Sequence, residues 1–577
     1  MFFALDVILT ISMWGVTTIV GVRVTQKIVL LQGEGDDLAW NLNVQLPVES
    51  LMAQVALGVE AGVEVAGVEE ARQQGDVALG LHGGVDVADV ALAGEVRFSD
   101  APTPLEFLNL MVPDSFYQTC TEQTNKYASD YFAVHPKASH PPGSRVHRWP
   151  DEGITEAEMR TFLALTIAMG ILPHQDVQDY WSTDEVMQTP FFPSIMTRNR
   201  FLLIFRFFHL SDNDTYRPRG HPEYNPLHKL GTIYETLVEK FKTTWYPGQQ
   251  ICIDEGMVPF RGNIHFRTYN PDKPDKYGLK AYQLCDSQNG YCCQFQLYGG
   301  KGKEPSAKGM THDIVSQLVE PYLQKGHTLY CDNYYTSPQL FLDLSDGGMN
   351  ACGTMRNRKG IPKEFKDAKL KTPGEKLCMA NDPLLGMKYR DRRDVKMLST
   401  AHSAKMVSTD RNNHRGELIM KPECIHEYNQ YMGAVDSSDQ MVAYLCFRRR
   451  TVKWWKKAFF HMMSLAIVNA HLLQKEYMTA RGKKGLEHKE FRREVVKEII
   501  KTSGYNKPGS GKSGRPLSSN PGFDRLMAIL CKADSISDFI AFPKSGNDPM
   551  SGTLSSLTDA ELQPFHVKVQ SESSRDV

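Results

Sequence analysis

The stretch QICIDEGMVPF at 250–260 decides the fold. Before it, apolar residues recur at helical spacing; from Gln250 onward they come in short blocks and alternations, which is how strands read. Ile251, Ile253 and Met257 to Phe260 predict a strand that carries Asp254 and Glu255 in its middle. Lys280–Cys285 and Tyr291–Tyr298 predict two more, joined across Asp286-Ser287-Gln288-Asn289-Gly290, where Asn-Gly supplies the positive φ angles of a hairpin turn. Thr311 to Leu323 then reads as a helix, His327–Asp332 as a strand, Ser337–Leu344 as a helix and Asn350–Met355 as a strand. Three antiparallel strands followed by helix, strand, helix, strand is the order of an α/β ribonuclease-H-like core.

The flanks read differently. Glu106 to Phe132 places Phe107, Leu108, Leu110, Met111, Phe116, Tyr117, Tyr127 and Phe132 at helical spacings, and a Pro/His/Gly loop follows from His135 to Pro150. Thr155 and Glu158 form a capping box that opens another helix, and Thr197 to Leu210 repeats the helical pattern. The resulting division is a low-complexity or disordered leader at 1–103, a helical first part of a dimerisation and DNA-binding domain at 104–248, and a catalytic core at 249–358. A lysine- and turn-rich insertion domain is expected at 359–422, the second part of the core at 423–445 and a basic helical DNA-binding part at 446–502. A linker and disordered tail fill 503–577.

Composition sets bounds around this core. The chain has 577 residues, with 66 Lys and Arg against 67 Asp and Glu, so its formal charge of −1 says nothing of a polyanionic partner. The distribution does. Residues 1–100 hold 14 acids and 4 bases, whereas 446–515 hold 18 bases and 5 acids. Eleven cysteines without one CxxC pair write neither a disulfide framework nor a zinc site. The apolar run from Val7 to Val22 has 16 residues and no basic residue before it, short for a membrane span and poor as a signal peptide, so no membrane role is expected. From Val44 to Val96 the chain cycles through Val, Gly, Ala and Glu without a period, as low-complexity sequence does.

Three acids lie at element ends beside turn-forming residues: Asp254, Asp332 in HTLYCDNYYTS (327–337), and Asp436 in GAVDSSDQ (433–440). The first and fourth strands of such a sheet are neighbours, so Asp254 and Asp332 should meet. A helix entering from the insertion could add Asp436, with Asp439 three residues later on the same face. Clustered carboxylates repel unless a cation lies among them, and hard oxygen ligands suit Mg²⁺ or Mn²⁺. Two such ions about 3.5–4 Å apart can activate a water or a 3′-hydroxyl and stabilise the departing oxygen of a phosphodiester. Against this stands the commoner role of a lone Asp as a turn or helix cap, which is the reading given to Asp286 in its hairpin turn. Glu255 is read in the same way, on the face opposite Asp254.

These residues and the blocks around them resemble the piggyBac family of DNA transposases and transposase-derived proteins. The blocks are IMTRNRF (195–201), FHLSDN (208–213), IDEGM (253–257), FRG (260–262), NPDKPDKYGLK (270–280), CDNYYTS (331–337), CGTMR (352–356), MLST (397–400) and YNQYMGAVDSSDQ (428–440). The resemblance covers about 104–480. It implies that Asp254, Asp332 and Asp436 are the catalytic and metal-binding triad, with Asp439 the fourth metal-binding acid and two Mg²⁺ or Mn²⁺ ions in the site. It further implies a homodimer in the nucleus that acts on double-stranded DNA, with no small-molecule substrate, cutting and joining at TTAA sites through a DNA hairpin. A domesticated, catalytically silent DNA- or chromatin-binding protein is the alternative. Two departures stand out. The family's cysteine-rich zinc module is expected to be missing, since only Cys531 follows Cys446, and Gly433-Ala434 replaces the usual Gly-Gly before the third acid.

Basic residues complete the expected site. Arg448, Arg449, Arg450, Lys453, Lys456 and Lys457, interleaved with Trp454, offer phosphate contacts and an aromatic face for unpaired bases. Arg261, Arg267, Lys273, Lys276 and Lys280 form a second basic stretch after Asp254, read as backbone contacts near the cut. His461 and His471 read as core histidines and Gly299–Lys303 as a loop.

Overall fold

The structure is a computed structural model that describes the backbone of 3–13 and 16–26 and, within 98–506, every residue except 272, 301–305, 359 and 413–415. The low-complexity stretch at 44–96, Cys531 and the tail from 507 lie outside the described residues. Two units are distinct. In the first, β1 (Phe3–Met13) and β2 (Val16–Gln26) pair antiparallel with Met13 opposite Val16, so the apolar run of 7–22 is a hairpin within the stretch read as leader.

The second unit opens with helices α1 (Pro104–Met111), α2 (Asp114–Val134), α3 (Glu156–Ile171), α4 (Phe191–Ile195), α5 (Arg198–Phe207) and α6 (Gly231–Thr244). Pro113 splits the first helical segment in two, since it lacks the N–H that a continuous helix needs. The capping box at Thr155 forms as the sequence predicts: Glu158 N–H donates to the Thr155 hydroxyl at 3.2 Å and Glu158 Oε2 accepts from Thr155 N–H at 3.4 Å. Both Glu158 oxygens also hold Arg200 at 2.7 Å, tying α3 to α5.

The central sheet contains β3 (Gln250–Pro259), β4 (Thr268–Tyr269), β5 (Tyr277–Asp286), β6 (Cys292–Leu297), β7 (Thr328–Cys331) and β8 (Asn350–Thr354). β5 lies antiparallel to β3 and β6 antiparallel to β5, while β7 runs parallel to β3 and β8 parallel to β7. The order β6-β5-β3-β7-β8 is that of a ribonuclease-H-like core. Ile251, Cys252 and Ile253 are buried on both faces of the sheet, as a central strand covered on both sides requires. Helices α7 (Met310–Val319) and α8 (Pro338–Asp346) make the crossovers to β7 and β8.

The segment at 359–422, expected as a separate insertion domain, continues the sheet. After α9 (Lys363–Asp367) come β9 (Lys376–Asn381), β10 (Leu384–Arg390) and β11 (Asp394–Ser399), and β11 pairs with β8 through Met397–Thr354, Leu398–Gly353 and Ser399–Cys352. Only β12 (Met406–Asn412) and β13 (Leu418–Pro422) form a hairpin of their own. Helices α10 (Glu423–Tyr431) and α11 (Ala434–Tyr444) then return to the core.

The chain closes with α12 (Trp454–Ala480) and α13 (His488–Thr502). α12 is buried nearly all round, and α1, α6, α11 and α13 pack on it. Asn469 on its inner side accepts from the Cys292 N–H at 3.0 Å and donates to the Cys292 carbonyl at 2.9 Å. At the other end of β6 the Tyr234 hydroxyl, on α6, accepts from the Leu297 N–H at 3.1 Å. His471 meets the Leu486 carbonyl at 2.8 Å, and burial pushes the His461 ring down to about 4; both are core histidines. No described helix is long and apolar enough to cross a membrane.

Candidate active site

β3 and β7 run parallel with Ile253 beside Cys331, so the next residues, Asp254 and Asp332, stand side by side where β7 ends. The chain leaves β7 through a turn that Asp332 itself organises. Its Oδ1 accepts from Tyr334 N–H at 2.8 Å, and its carbonyl accepts from the Thr336 hydroxyl at 2.8 Å. Asp254 Oδ1 accepts from the Glu255 N–H at 2.7 Å. Helix α11 packs on β3 and β5 and delivers Asp436 from its first turn and Asp439 one turn later.

Asp439 lies across β3 at Gly256. Gln283, opposite Asp254 on β5, donates its amide to Asp439 Oδ1 at 3.0 Å. A Cβ on residue 256 would stand 1.9 Å from Gln283 Nε2 and 2.9 Å from Asp439 Oδ1, so only glycine permits this approach. Gly433, by contrast, has φ −80°, and a Cβ added there would meet nothing within 4 Å, so no close approach depends on glycine at position 433.

The electrostatics are those of a site short of positive charge. Burial pushes the Asp254 carboxyl up to about 7, with Glu255 and Asp436 adding repulsion and Lys273 opposing it. Burial likewise raises Asp439 to about 6, against the pull of Gln283 and Lys273, and raises Asp332, with Glu255 adding to the effect. Lys273 Nζ stands 2.7 Å from Asp436 Oδ1. Against the desolvation that lowers it, the bond to Asp436 and the charges of Asp254 and Asp439 hold the Lys273 ammonium above its usual range. Among the described residues no three His, Cys, Asp or Glu side chains stand close enough together to enclose a metal ion. The donor chemistry nonetheless fits a hard divalent cation: the acids are carboxylates, burial raises three of them, and one ammonium already serves as counter-charge.

Residues 103–471 match the family described as Transposase IS4. The chain belongs to this family. Within it the protein is of the piggyBac type: it is 25% identical over 449 residues to human PiggyBac transposable element-derived protein 3, covering 73% of this chain and 69% of that one. It is 21% identical over 425 residues to human PiggyBac transposable element-derived protein 5, covering 70% and 76%. Its fold matches a solved piggyBac transposase, captured as a synaptic complex with hairpin DNA, with a TM-score of 0.59 at 23% identity over 74% of this chain and 90% of the other.

In this piggyBac-type chain the basic residues divide into two sets. Arg261, Arg267, Lys276, Arg448, Arg450 and Lys453 are exposed and Arg449 is half-buried. Arg448 donates to the Ala443 carbonyl at 2.8 Å and Arg267 to the Arg261 carbonyl at 3.0 Å, which fixes part of each guanidinium. Trp454 is half-buried with its ring edge-on to Phe266 at 5.2 Å, and Lys457 is half-buried on the same helix. Three lysines expected on phosphates point elsewhere. Lys273 holds Asp436, and Lys280 pairs with Glu255 at 2.9 Å. Lys456 is buried, donating to the Phe205 carbonyl in the last turn of α5, with its ammonium 4.6 Å from the Phe205 ring centroid. A helix end offers unbonded carbonyls, and this lysine caps one; burial lowers it to about 7.

Sequence reasoning passes over three residues that shape the site. Glu255 reads as a turn or cap acid; it lies on the far face of β3 from Asp254, yet its charge reaches both Asp254 and Asp332. Gly256 is legible in principle, since a lone glycine inside a strand signals a close approach. Gln283 gives no signal at all. Asp286 keeps its structural reading: it is 2% exposed and accepts from Trp245 Nε1 and Gly248 N–H at 3.0 Å.

A second polar cluster braces the acids from behind. The Tyr330 hydroxyl, two residues before Asp332, donates to Glu427 Oε2 at 2.7 Å, and His402 Nε2 meets the same oxygen at 2.9 Å. His402 Nδ1 in turn meets the Ser399 hydroxyl at 2.7 Å. Ser399 is fully buried, so this Ser-His-Glu array presents no nucleophile; it ties β11 and β7 to α10, the helix that leads into Asp436.

Proposed function

We propose that the protein is a metal-dependent DNA transposase of the three-aspartate type, cutting and joining strands of double-stranded DNA at TTAA sites in the nucleus, as a homodimer. The observation that supports this reading is the parallel pairing of Ile253 with Cys331, which sets Asp254 and Asp332 next in line on neighbouring strands, together with the burial that raises both of these carboxyls and that of Asp439 on α11. A folded protein bears that electrostatic cost without return unless a cation binds there. Asp254, Asp332 and Asp436, with Asp439, would hold Mg²⁺ or Mn²⁺, two ions in the full site. Such ions supply a deprotonated oxygen nucleophile and charge stabilisation at the scissile phosphate.

The chain's own groups do the rest. The Asp332 turn and the Gln283 bond orient two of the carboxylates. Arg261, Arg267, Lys276, Arg449, Arg450 and Lys453 supply the cationic surround that keeps a polyanion in register. Trp454 would stack an unpaired base once its edge-on contact with Phe266 opens. One observation favours the second reading, a catalytically silent DNA- or chromatin-binding protein: Asp436 is already neutralised by Lys273.

Nicking of supercoiled plasmid and cutting of a labelled TTAA duplex, with Mg²⁺ or Mn²⁺, separate the two when the full chain is compared with Asp332→Asn. Metal-dependent cutting that vanishes in the variant is the expected result. Tight duplex binding with neither cutting nor metal uptake would sink the enzymatic reading.

A further inference from the structure

This inference rests on the reading of the four aspartates as a divalent-cation site. We propose that Lys273 is a tethered counter-ion for the third carboxylate, which holds Asp436 while no divalent cation is bound and passes to a DNA phosphate once one is. Lys273 is the fourth residue of NPDKPDK, the loop between β4 and β5. Strand pairing of Tyr269 with Tyr277 and a bond from Asn270 N–H to the Lys276 carbonyl at 2.9 Å close that loop at its base, and Pro271 and Pro274 restrict its backbone on either side of the lysine.

The loop is therefore closed at its base while the Lys273 side chain keeps four rotatable bonds. In a loop whose other lysine, Lys276, is exposed, Lys273 is only 18% exposed, because it is turned inward onto Asp436 at 2.7 Å. Asp436 itself is 68% exposed, so the pair sits at the mouth of the acidic site rather than beneath it.

An ammonium and a divalent cation cannot both occupy that carboxylate oxygen at close range, so occupancy by one must weaken the other. The displaced ammonium is left at the mouth of the site, between the exposed Arg261 and Arg267 side of the β3–β5 region and the incoming phosphates. Cation binding and DNA binding then reinforce each other through one residue, and reciprocity requires each to tighten the other by the same factor.

The test uses the full chain with Mn²⁺ as probe, its uptake read from loss of the free-ion EPR signal, without DNA. Lys273→Met and Lys273→Gln are expected to bind Mn²⁺ about 2- to 5-fold more tightly than the unaltered protein, the range an exposed ion pair supports, while Lys273→Arg stays near the parent. Duplex binding measured against salt in the presence of Mn²⁺ should lose about one unit of log–log slope in the Met and Gln variants, one phosphate contact's worth. Uptake of Mn²⁺ by the parent with no tightening in either neutral variant overturns the role of Lys273 and leaves the metal reading standing. Absence of uptake by the parent and both neutral variants overturns both. An unchanged salt slope overturns the hand-over to phosphate.

Discussion

Replacing Gly256 by alanine tests whether Asp439 belongs to the site. Alanine in a strand ordinarily gains about 0.4–1 kcal/mol over glycine by restricting the unfolded chain. Here the new Cβ falls 1.9 Å from Gln283 Nε2 and 2.9 Å from Asp439 Oδ1, both far inside contact distance. A flexible amide at the surface would swing aside, but Gln283 is 1% exposed and has no room. Overpacking of this kind costs about 1–3 kcal/mol, and losing the 3.0 Å bond to a charged oxygen costs about 1.5–3 more. The net expectation is a loss of about 2–5 kcal/mol, read from the urea midpoint at constant slope. Asp439→Ala should relieve part of the clash, so the double variant is expected to show at least about 1 kcal/mol of coupling. Gly433→Ala, with open space around it, should be neutral or slightly stabilising. If Gly256→Ala falls within about 0.5 kcal/mol of the parent, or the pair proves additive, Asp439 does not pack across β3.

Three other expectations follow from the same geometry. The Asp254 carboxyl is raised from 3.8 to about 7, so the folded state binds its proton more tightly than the unfolded chain does, and metal-free stability falls as pH climbs between those values. Asp254→Asn in EDTA should therefore raise stability at pH 8 by on the order of 1–2 kcal/mol, with the gain shrinking below pH 7 and gone near pH 4; a pH-independent effect would contradict the raised value. Glu427→Ala strands the Tyr330 hydroxyl and His402, and should cost about 1–3 kcal/mol in urea denaturation and slow plasmid nicking more than it weakens duplex binding. Asn469→Ala leaves both backbone groups of Cys292 without their partner in the core, a loss of about 2–4 kcal/mol by the same assay.

The five strands of the core are legible because each is a short apolar run bounded by turn residues, and the hairpin at Asn289-Gly290 forms where the dipeptide places it, although only Gly290 takes the positive φ expected of both. Asp254 and Asp332 can be brought together from strand order alone. The sheet's continuation through β9–β11 cannot be read in this way, since lysines such as Lys388 read as surface while this one is 2% exposed, donating to the Ala368 carbonyl. Lys456 misleads for a related reason. A helix buried on almost every side gives its charged residues no polar face to mark, and the carbonyl that Lys456 caps lies 251 positions away in the sequence. The bracing of Tyr330 and His402 by Glu427 likewise joins residues 97 and 25 apart, beyond any local pattern.

The β6 edge has a consequence for how copies of this chain could associate. An edge strand normally offers a row of free amide and carbonyl groups on which another polypeptide can add a strand. Both groups of Cys292 are already taken by Asn469 from α12, and the Leu297 N–H is taken by the Tyr234 hydroxyl from α6. Side chains of two helices stand in for the missing neighbour, so a second copy cannot extend the sheet here without first displacing them. Partially unfolded chains are in the same way denied a common template for aggregation at these two positions as long as α12 and α6 stay docked.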